Sequence, residues 1–306
     1  MKIAIIGLGV QGYKRIRYLK NDHIVTVDPY NLKADYKNIK KVPLDDFQAA
    51  FICAPDDQKF ELALYCLKNK KHVLVEKPLL IKKDSNLKIL DRVAKKNKVT
   101  LYTAYNHRFE PNFIKMKNLI ASKKLGKIYL CRMFYGNGTA KLVKNSYWRN
   151  KGAGVLPDLG SHLLDTSKFL FEGNLGKFKI ISANKFENSS YDHVIIGNYN
   201  CNLKIELEMT LCMWKNHFTC DVLAEKGSAH IESLCKWGPS KFIFRKRVLP
   251  SGFPIEKIHL EKKGDPTWDI EHKYFKKIIK SKKETDLSND FWISSEIKKL
   301  TNYSNK

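Results

Sequence analysis

Asp158, His162 and Asp165 stand at i, i+4 and i+7. A helix through them carries an acid, an imidazole and a second acid along one face. An imidazole titrates near neutral pH and can take or return a hydroxyl proton during reaction at carbon. Lys77, in Glu76-Lys77-Pro78, ends a strand-like run. An ammonium there can donate a hydrogen bond to an oxygen that gathers negative charge, and the end of a parallel strand is where ligand crevices form. Far from these, Gly7-Leu8-Gly9-Val10-Gln11-Gly12 follows an apolar run at the amino terminus and has the form of a dinucleotide cradle. Hydride exchange with a nicotinamide cofactor in one half, and proton exchange in the other, is the chemistry these groups suit.

Each group also has a plainer use. Asp158 could cap its helix, His162 could be a satisfied core histidine, and Lys77 could be one solvated lysine among 48. Asp-x-x-x-His-x-x-Asp could hold a metal, although a lysine in the same pocket would compete with a cation; no metal site is assigned.

The glycine pattern gains weight from its setting between a strand and a helix. Gly7 allows a tight turn, Gly9 lets the backbone approach a pyrophosphate, and Gly12 permits close helix–strand packing. The helix start supplies amide donors and a favourable dipole. Asp28 follows Gly7 by 21 positions, at the end of the second strand. That is the place for a carboxylate that binds the adenosine ribose. It favours NAD over NADP, with Tyr30 and Lys33 close enough in sequence to accommodate a phosphate instead.

These groups need two scaffolds. Apolar strand-like runs at 2–6, 23–27, 47–53, 72–75 and 99–104 alternate with helical stretches to about 20, at 57–69 and at 84–97. Phe60, Leu64 and Leu67 line one face of the second helix. The stretch 30–46 is polar and short, so a crossover helix there is reduced. This alternation predicts a parallel sheet with helices on both faces. After about residue 125 strand-like segments follow one another, at 127–135, 177–183, 192–199, 202–211, 217–224, 228–234 and 241–248. They predict a largely antiparallel sheet. One helix, 158–171, interrupts them, and the tail from 266 to 280 is helical again. Strands 202–211 and 217–224 read as apolar on both alternations, through Leu203, Ile205, Leu207, Met209 and Leu211, then Phe218, Cys220 and Val222. A sheet covered by helices on one face would then leave an apolar patch for self-association.

A chain of 306 residues can hold two cores. Apolar residues at 43% and charged residues at 28% fit a globular protein. The amino-terminal apolar run is short, is broken by Gly7 and lacks a cleavage site, so it reads as a strand and not a leader. No run is long enough to span a bilayer. The seven cysteines are scattered and never spaced C-x-x-C, which points to a reducing compartment and a cytoplasmic location. The net charge of +25 rests on 48 lysines against eight arginines, spread along the whole chain. Nucleic-acid recognition leans on arginine, so the charge reads as a solvated surface, with neither nucleic acid nor membrane as partner.

The chain resembles the glucose–fructose oxidoreductase/inositol dehydrogenase (Gfo/Idh/MocA) family through its length. The resemblance runs through the glycine motif, Ala54-Pro55-Asp56, Glu76-Lys77-Pro78, Asn106-His107-Arg108-Phe109-x-Pro111, Trp148-Arg149 and the run from Gly152 to Asp165. It departs at Lys59, where the family often has histidine, and at His107, where the family reads Asn-Arg-Arg-Phe. The resemblance implies an α/β chain with an N-terminal Rossmann dinucleotide-binding domain (1–122). A C-terminal α+β domain (123–306) with a large, mostly antiparallel open sheet follows, its helical tail 266–306 able to pack back on the first domain. It implies Lys77 as the contact to the reacting oxygen and His162 as acid/base. Asp158 would orient substrate and imidazole, and Arg149 would hold substrate. Ala54, Pro55, Asp56, Glu76 and Asn106 would line the cofactor site, the last two near the nicotinamide ribose.

The expected activity is interconversion of a secondary alcohol and a ketone on a polyol, sugar or nucleotide-linked sugar with NAD, NADP remaining open, by a homodimer or homotetramer. Two alternatives stand beside it: elimination, epimerisation or glycoside cleavage through transient oxidation, and a non-catalytic NAD-binding regulator.

Overall fold

A computed structural model describes residues 1–19, 22–81, 83–146, 149–150, 153–250 and 252–303; Trp148 and Gly152 of the motifs above lie outside the described residues. The chain divides into two compact units, Met1–Asn106 with Trp268–Ser294, and His107–Thr267 with the segment from Ser295 onward.

In the first unit β1 (Lys2–Ile6), β2 (His23–Val27), β3 (Ala49–Ile52), β4 (His72–Glu76) and β5 (Leu101–Ala104) form a parallel sheet in the order β2-β1-β3-β4-β5. Helices α1 (Val10–Tyr18), α2 (Asp56–Lys68) and α3 (Asp84–Lys96) connect them. Two short 3₁₀ turns, Ile39–Lys41 and Leu44–Asp46, stand where a longer crossover helix would run between β2 and β3. Strands covered on both faces need apolar residues at every position, and Ala49 to Ile52 are all buried. Ala4, Ile6, Ala50, Ile52, Val73 and Val75 pack with Ala63 and Leu67 of α2 and Leu87 and Leu90 of α3. The alternate set, Ile3, Ile5, Ala49, Phe51 and Leu74, packs on the opposite face.

In the second unit α4 (Pro111–Ala121), β6 (Ile128–Gly136), α5 (Ala140–Lys144) and α6 (Ser161–Leu170) precede a run of strands. These are β7 (Lys177–Asn184), β8 (His193–Tyr199), β9 (Lys204–Thr210), β10 (His217–Ala224), β11 (Gly227–Glu232), β12 (Ser240–Lys246) and β13 (Glu256–Glu261). The eight-stranded sheet runs β13-β12-β11-β10-β6-β9-β8-β7. Its pairs are antiparallel except β6 with β9, which is parallel. The chain then returns to the first unit: in α7 (Thr267–Lys280), Phe275 and Ile278 join the core around Phe51. The last helix is α8 (Ser288–Tyr303).

Two expectations meet a different structure. The helix predicted over 158–171 begins as a wide π turn, Leu156–Gly160, and only then becomes α6. Pro157 lacks the N–H that a regular turn would use. A Cβ at Gly160 would stand 2.8 Å from the sulfur of Met209 on β9, so this turn lies close against the sheet. Second, most of the apolar residues of β9 and β10 sit on one alternation. Ile205, Leu207, Met209, Phe218, Cys220 and Val222 are buried together. The other face is mixed: Arg132 pairs with Glu206 at 3.0 Å and His230 bonds to Asp221 at 2.6 Å, while Leu223, on the same alternation as Asp221, is 41% exposed. Among the described residues no helix is long and apolar enough to cross a membrane.

Candidate functional site

In the first unit the cofactor residues singled out above lie at or just beyond the carboxyl ends of the parallel strands, Glu76 being the last residue of β4. Gly7 follows β1, Asp28 follows β2, Ala54 follows β3, Lys77 follows β4 and Asn106 follows β5. The order of these strands changes direction beside β1, which is where open α/β sheets form their ligand crevice.

The three glycines do different work. Gly7 has φ +96°, and a Cβ there would lie 2.7 Å from the carbonyl oxygen of Cys53. A Cβ at Gly12 would run into the Gly7 carbonyl. At Gly9 a Cβ would meet nothing within 4 Å. So Gly7 and Gly12 are required by the protein's own packing, whereas the space at Gly9 is open. Val10 and Gln11, at the start of α1, turn exposed side chains outward. An open approach to backbone at a helix start is what a dinucleotide pyrophosphate requires, and the residues fit that group.

Asp28 is tied into the loop. Its Oδ2 accepts the Leu8 N–H at 2.8 Å, and its Oδ1 accepts those of Tyr30 and Asn31, both at 2.8 Å. Burial pushes this carboxyl up, but the three amides outweigh it and hold the pKa below the usual value. A carboxylate offers about four acceptor sites, so an open site remains on Oδ2. Lys37 adds its charge to the same effect.

Pro55 precedes α2, whose first residue, Asp56, pairs with Lys59 at 2.6 Å. The Lys59 ammonium, on a residue 2% exposed, also donates to the carbonyl of Pro78 at 2.8 Å. The lysine that departs from the family pattern therefore braces the Glu76-Lys77-Pro78 turn. Lys77 itself is half-buried, as is Asn106. Glu76 accepts the Arg15 Nε–H at 2.7 Å, and Arg15 Nη1 reaches Glu271 of α7 at 2.7 Å. Two carboxylates thus share one buried guanidinium. Burial opposes the charge on Arg15, but both acids hold its pKa above the ordinary value. Burial pushes Glu271 up to about 7; Arg15 opposes the rise and Glu76 adds to it.

The second unit holds the imidazole. His162 lies in α6 and is 5% exposed. Its ring stacks on that of His107 at 3.9 Å between centroids and 14° between planes, and the Tyr135 ring stands 6.0 Å away. Asp165 is fully buried and gripped by Arg108, whose Nε donates to Oδ2 at 2.9 Å. Asp158, in the π turn, accepts the Arg149 Nη2–H at 2.8 Å. The two acids flanking His162 along the chain are therefore each held by an arginine. Lys236 donates to the Tyr135 hydroxyl at 2.8 Å. Burial lowers the Lys236 pKa, against the pull of Glu110, Asp265 and Asp158.

Several of these groups had no signal in the motifs. Glu271 lies far from Arg15 in sequence, and Lys236 belongs to no recognised pattern. Arg15 could have been found as a cation on the same helical face as Gly12 and Leu19. His107 and Arg108 were in view as motif members, but the pattern alone does not disclose what their rings and forks touch.

Comparison with known proteins fits this arrangement. Residues 1–105 match the oxidoreductase family with an NAD-binding Rossmann fold, and residues 113–230 match the GFO/IDH/MocA C-terminal domain. The chain is 29% identical over 189 residues to myo-inositol 2-dehydrogenase of Thermotoga maritima, covering 56% of this chain and 54% of that protein. It is 28% identical over 194 residues to glucose-6-phosphate 3-dehydrogenase of Bacillus subtilis, with 56% and 54% covered. These matches span about half the length of the curated relatives. A levoglucosan dehydrogenase solved with NADH shares the fold, with a TM-score of 0.82 at 15% identity, over 99% of this chain and 96% of that one.

Proposed function

Because the chain belongs to the Gfo/Idh/MocA family of oxidoreductases, with its NAD-binding Rossmann domain, we propose that it interconverts a secondary alcohol and a ketone on a sugar, cyclitol or nucleotide-linked sugar. The observation that carries this reading is His162, a nearly buried imidazole with a fixed ring plane, in a chain whose first unit has an open glycine cradle. NAD, when bound, supplies the hydride acceptor.

The chain's residues supply the rest. His162 takes the proton of the reacting hydroxyl: the O–H bond breaks and an N–H bond forms on the ring. Lys77 donates a hydrogen bond to the oxygen as it becomes alkoxide-like and then carbonyl. Asp158 and Arg149 accept and donate to neighbouring substrate hydroxyls, and Asp158 orients the imidazole. Gly7 to Gly12, Asp28 and the Ala54-Pro55-Asp56 turn hold the dinucleotide, while Glu76 and Asn106 approach its nicotinamide ribose. Relatives named for myo-inositol and glucose 6-phosphate support a polyol or sugar substrate.

Incubation of the purified protein with NAD and a panel of polyols, hexoses, sugar phosphates and nucleotide sugars tests the reading. Net NADH formation supports it. Turnover without net change in cofactor would favour transient oxidation, and binding without turnover would favour a regulator.

A further inference from the structure

The geometry points to His107 as a positioning residue: it fixes the ring plane of His162 and limits the two imidazoles to a single shared positive charge. This rests on the reading of His162 as the acid/base group.

His107 is 1% exposed and His162 5% exposed. Their rings lie nearly parallel at 3.9 Å. His107 is held by its own neighbours, with Phe113 edge-on at 6.0 Å, Tyr135 at 5.6 Å and Phe218 at 6.5 Å. A ring wedged this way gives His162 a flat wall, so the imidazole cannot turn without losing the stack. The wall is itself titratable. Two imidazolium ions at van der Waals distance in a desolvated site repel strongly, so the second proton binds far less readily than the first.

The charges that the described residues bring around the pair are of both signs and largely matched to one another. On the elements of His162 itself, Asp158 is matched by Arg149 and Asp165 by Arg108. From β6, Tyr135 presents a neutral ring. From the turn Cys235–Trp237, Lys236 brings another cation to the Tyr135 hydroxyl. Glu110, ahead of α4, is buried, and burial pushes its pKa up; with Asp265 and Asp158 it acts on Lys236. With one proton allowed on the pair, His162 retains a proton-accepting fraction at pH values where a lone imidazole would be fully charged. The acid limb of activity then extends to lower pH.

Nuclear magnetic resonance titration of the labelled imidazoles in the full chain, assigned with His162→Gln, reads the pair directly. The expected wild-type result is two mutually dependent steps, the lower at least about one unit below the ordinary imidazole value of about 6.5. In His107→Phe, which keeps a flat ring without a proton, His162 should titrate once. The acid limb of kcat/KM should then move up by about one pH unit, with KM changed less than about threefold. Independent titration of the two rings in the wild type would overturn the proposal. So would an acid limb left in place in His107→Phe while kcat merely falls, as a structural role alone would give. The wild-type titration decides the matter even where His107→Phe does not fold. Normal turnover by His162→Gln would instead defeat the acid/base reading, and the titration would still report on the coupling.

Discussion

At Gly9 the protein leaves room that it does not use, whereas Gly7 and Gly12 are closed in by backbone. Under the proposed cofactor reading, this separates binding from folding among three identical residues. Gly9→Val should therefore fold with an unchanged melting temperature yet lose NADH affinity by at least ~100-fold, about 2.8 kcal/mol; calorimetric titration beside a melting curve checks both halves. Gly12→Ala should instead lower the melting temperature. Asp28 calls for a finer statement. The sequence places this carboxylate on the adenosine ribose, and three of its acceptor sites are filled by Leu8, Tyr30 and Asn31. In the proposed cofactor site one ribose hydroxyl would take the remaining site on Oδ2, and a 2′-phosphate would face the anion. NAD should bind at least ~tenfold tighter than NADP, about 1.4 kcal/mol, and Asp28→Ser should narrow that gap. Equal or tighter binding of NADP by the wild type contradicts this. For the proposed proton chemistry, Lys77→Ala and His162→Ala should each lower turnover by ~10²–10⁴ with NADH affinity nearly intact, and near-normal turnover in both would refute the roles.

Among the elements, α7 matters most for the cofactor unit, because Glu271 reaches Arg15 on the helix that follows the glycine loop. Its pKa near 7 stands above the ordinary value of 4.5. The native state therefore holds a proton that the unfolded chain releases, and stability falls as pH rises from about 4.5 through 7. Glu271→Gln removes that proton uptake and should flatten the decline, which denaturant unfolding at several pH values measures. An identical slope in both proteins would contradict the assignment. The first sheet was legible in the sequence because strands buried on both faces are written as unbroken apolar runs. The edge strand β13 was not, since Glu256 to Glu261 bury almost nothing and exist through pairing with β12. The helix α4 was hidden as well: it opens on Pro111, which reads equally as the end of a turn. Of the candidate site, the motifs disclosed which residues to watch. The arginine grips on Asp158 and Asp165 and the stacked histidines arise from packing that sequence spacing does not encode.

At the scale of the molecule, the outer face of the second sheet mixes charged pairs with exposed apolar side chains such as Leu223. Self-association through that face, which we retain as a proposal, would cover Leu223 together with charged side chains such as Arg132 and Glu206. The contribution of the charges weakens as salt screens them. Light scattering should show dimers or tetramers at low ionic strength and a shift toward the 35.5 kDa chain at high salt; that single species under both conditions would contradict the proposal. The claim on which the rest depends is hydride transfer between an alcohol carbon and the nicotinamide. A single-turnover reaction of the wild type with NAD and carbon-deuterated polyols and sugars, read by mass spectrometry of the cofactor, tests it most directly. Deuterium from the carbinol carbon is expected on the nicotinamide ring with at least one member of the panel. NAD that binds tightly yet remains unlabelled with every member would contradict it.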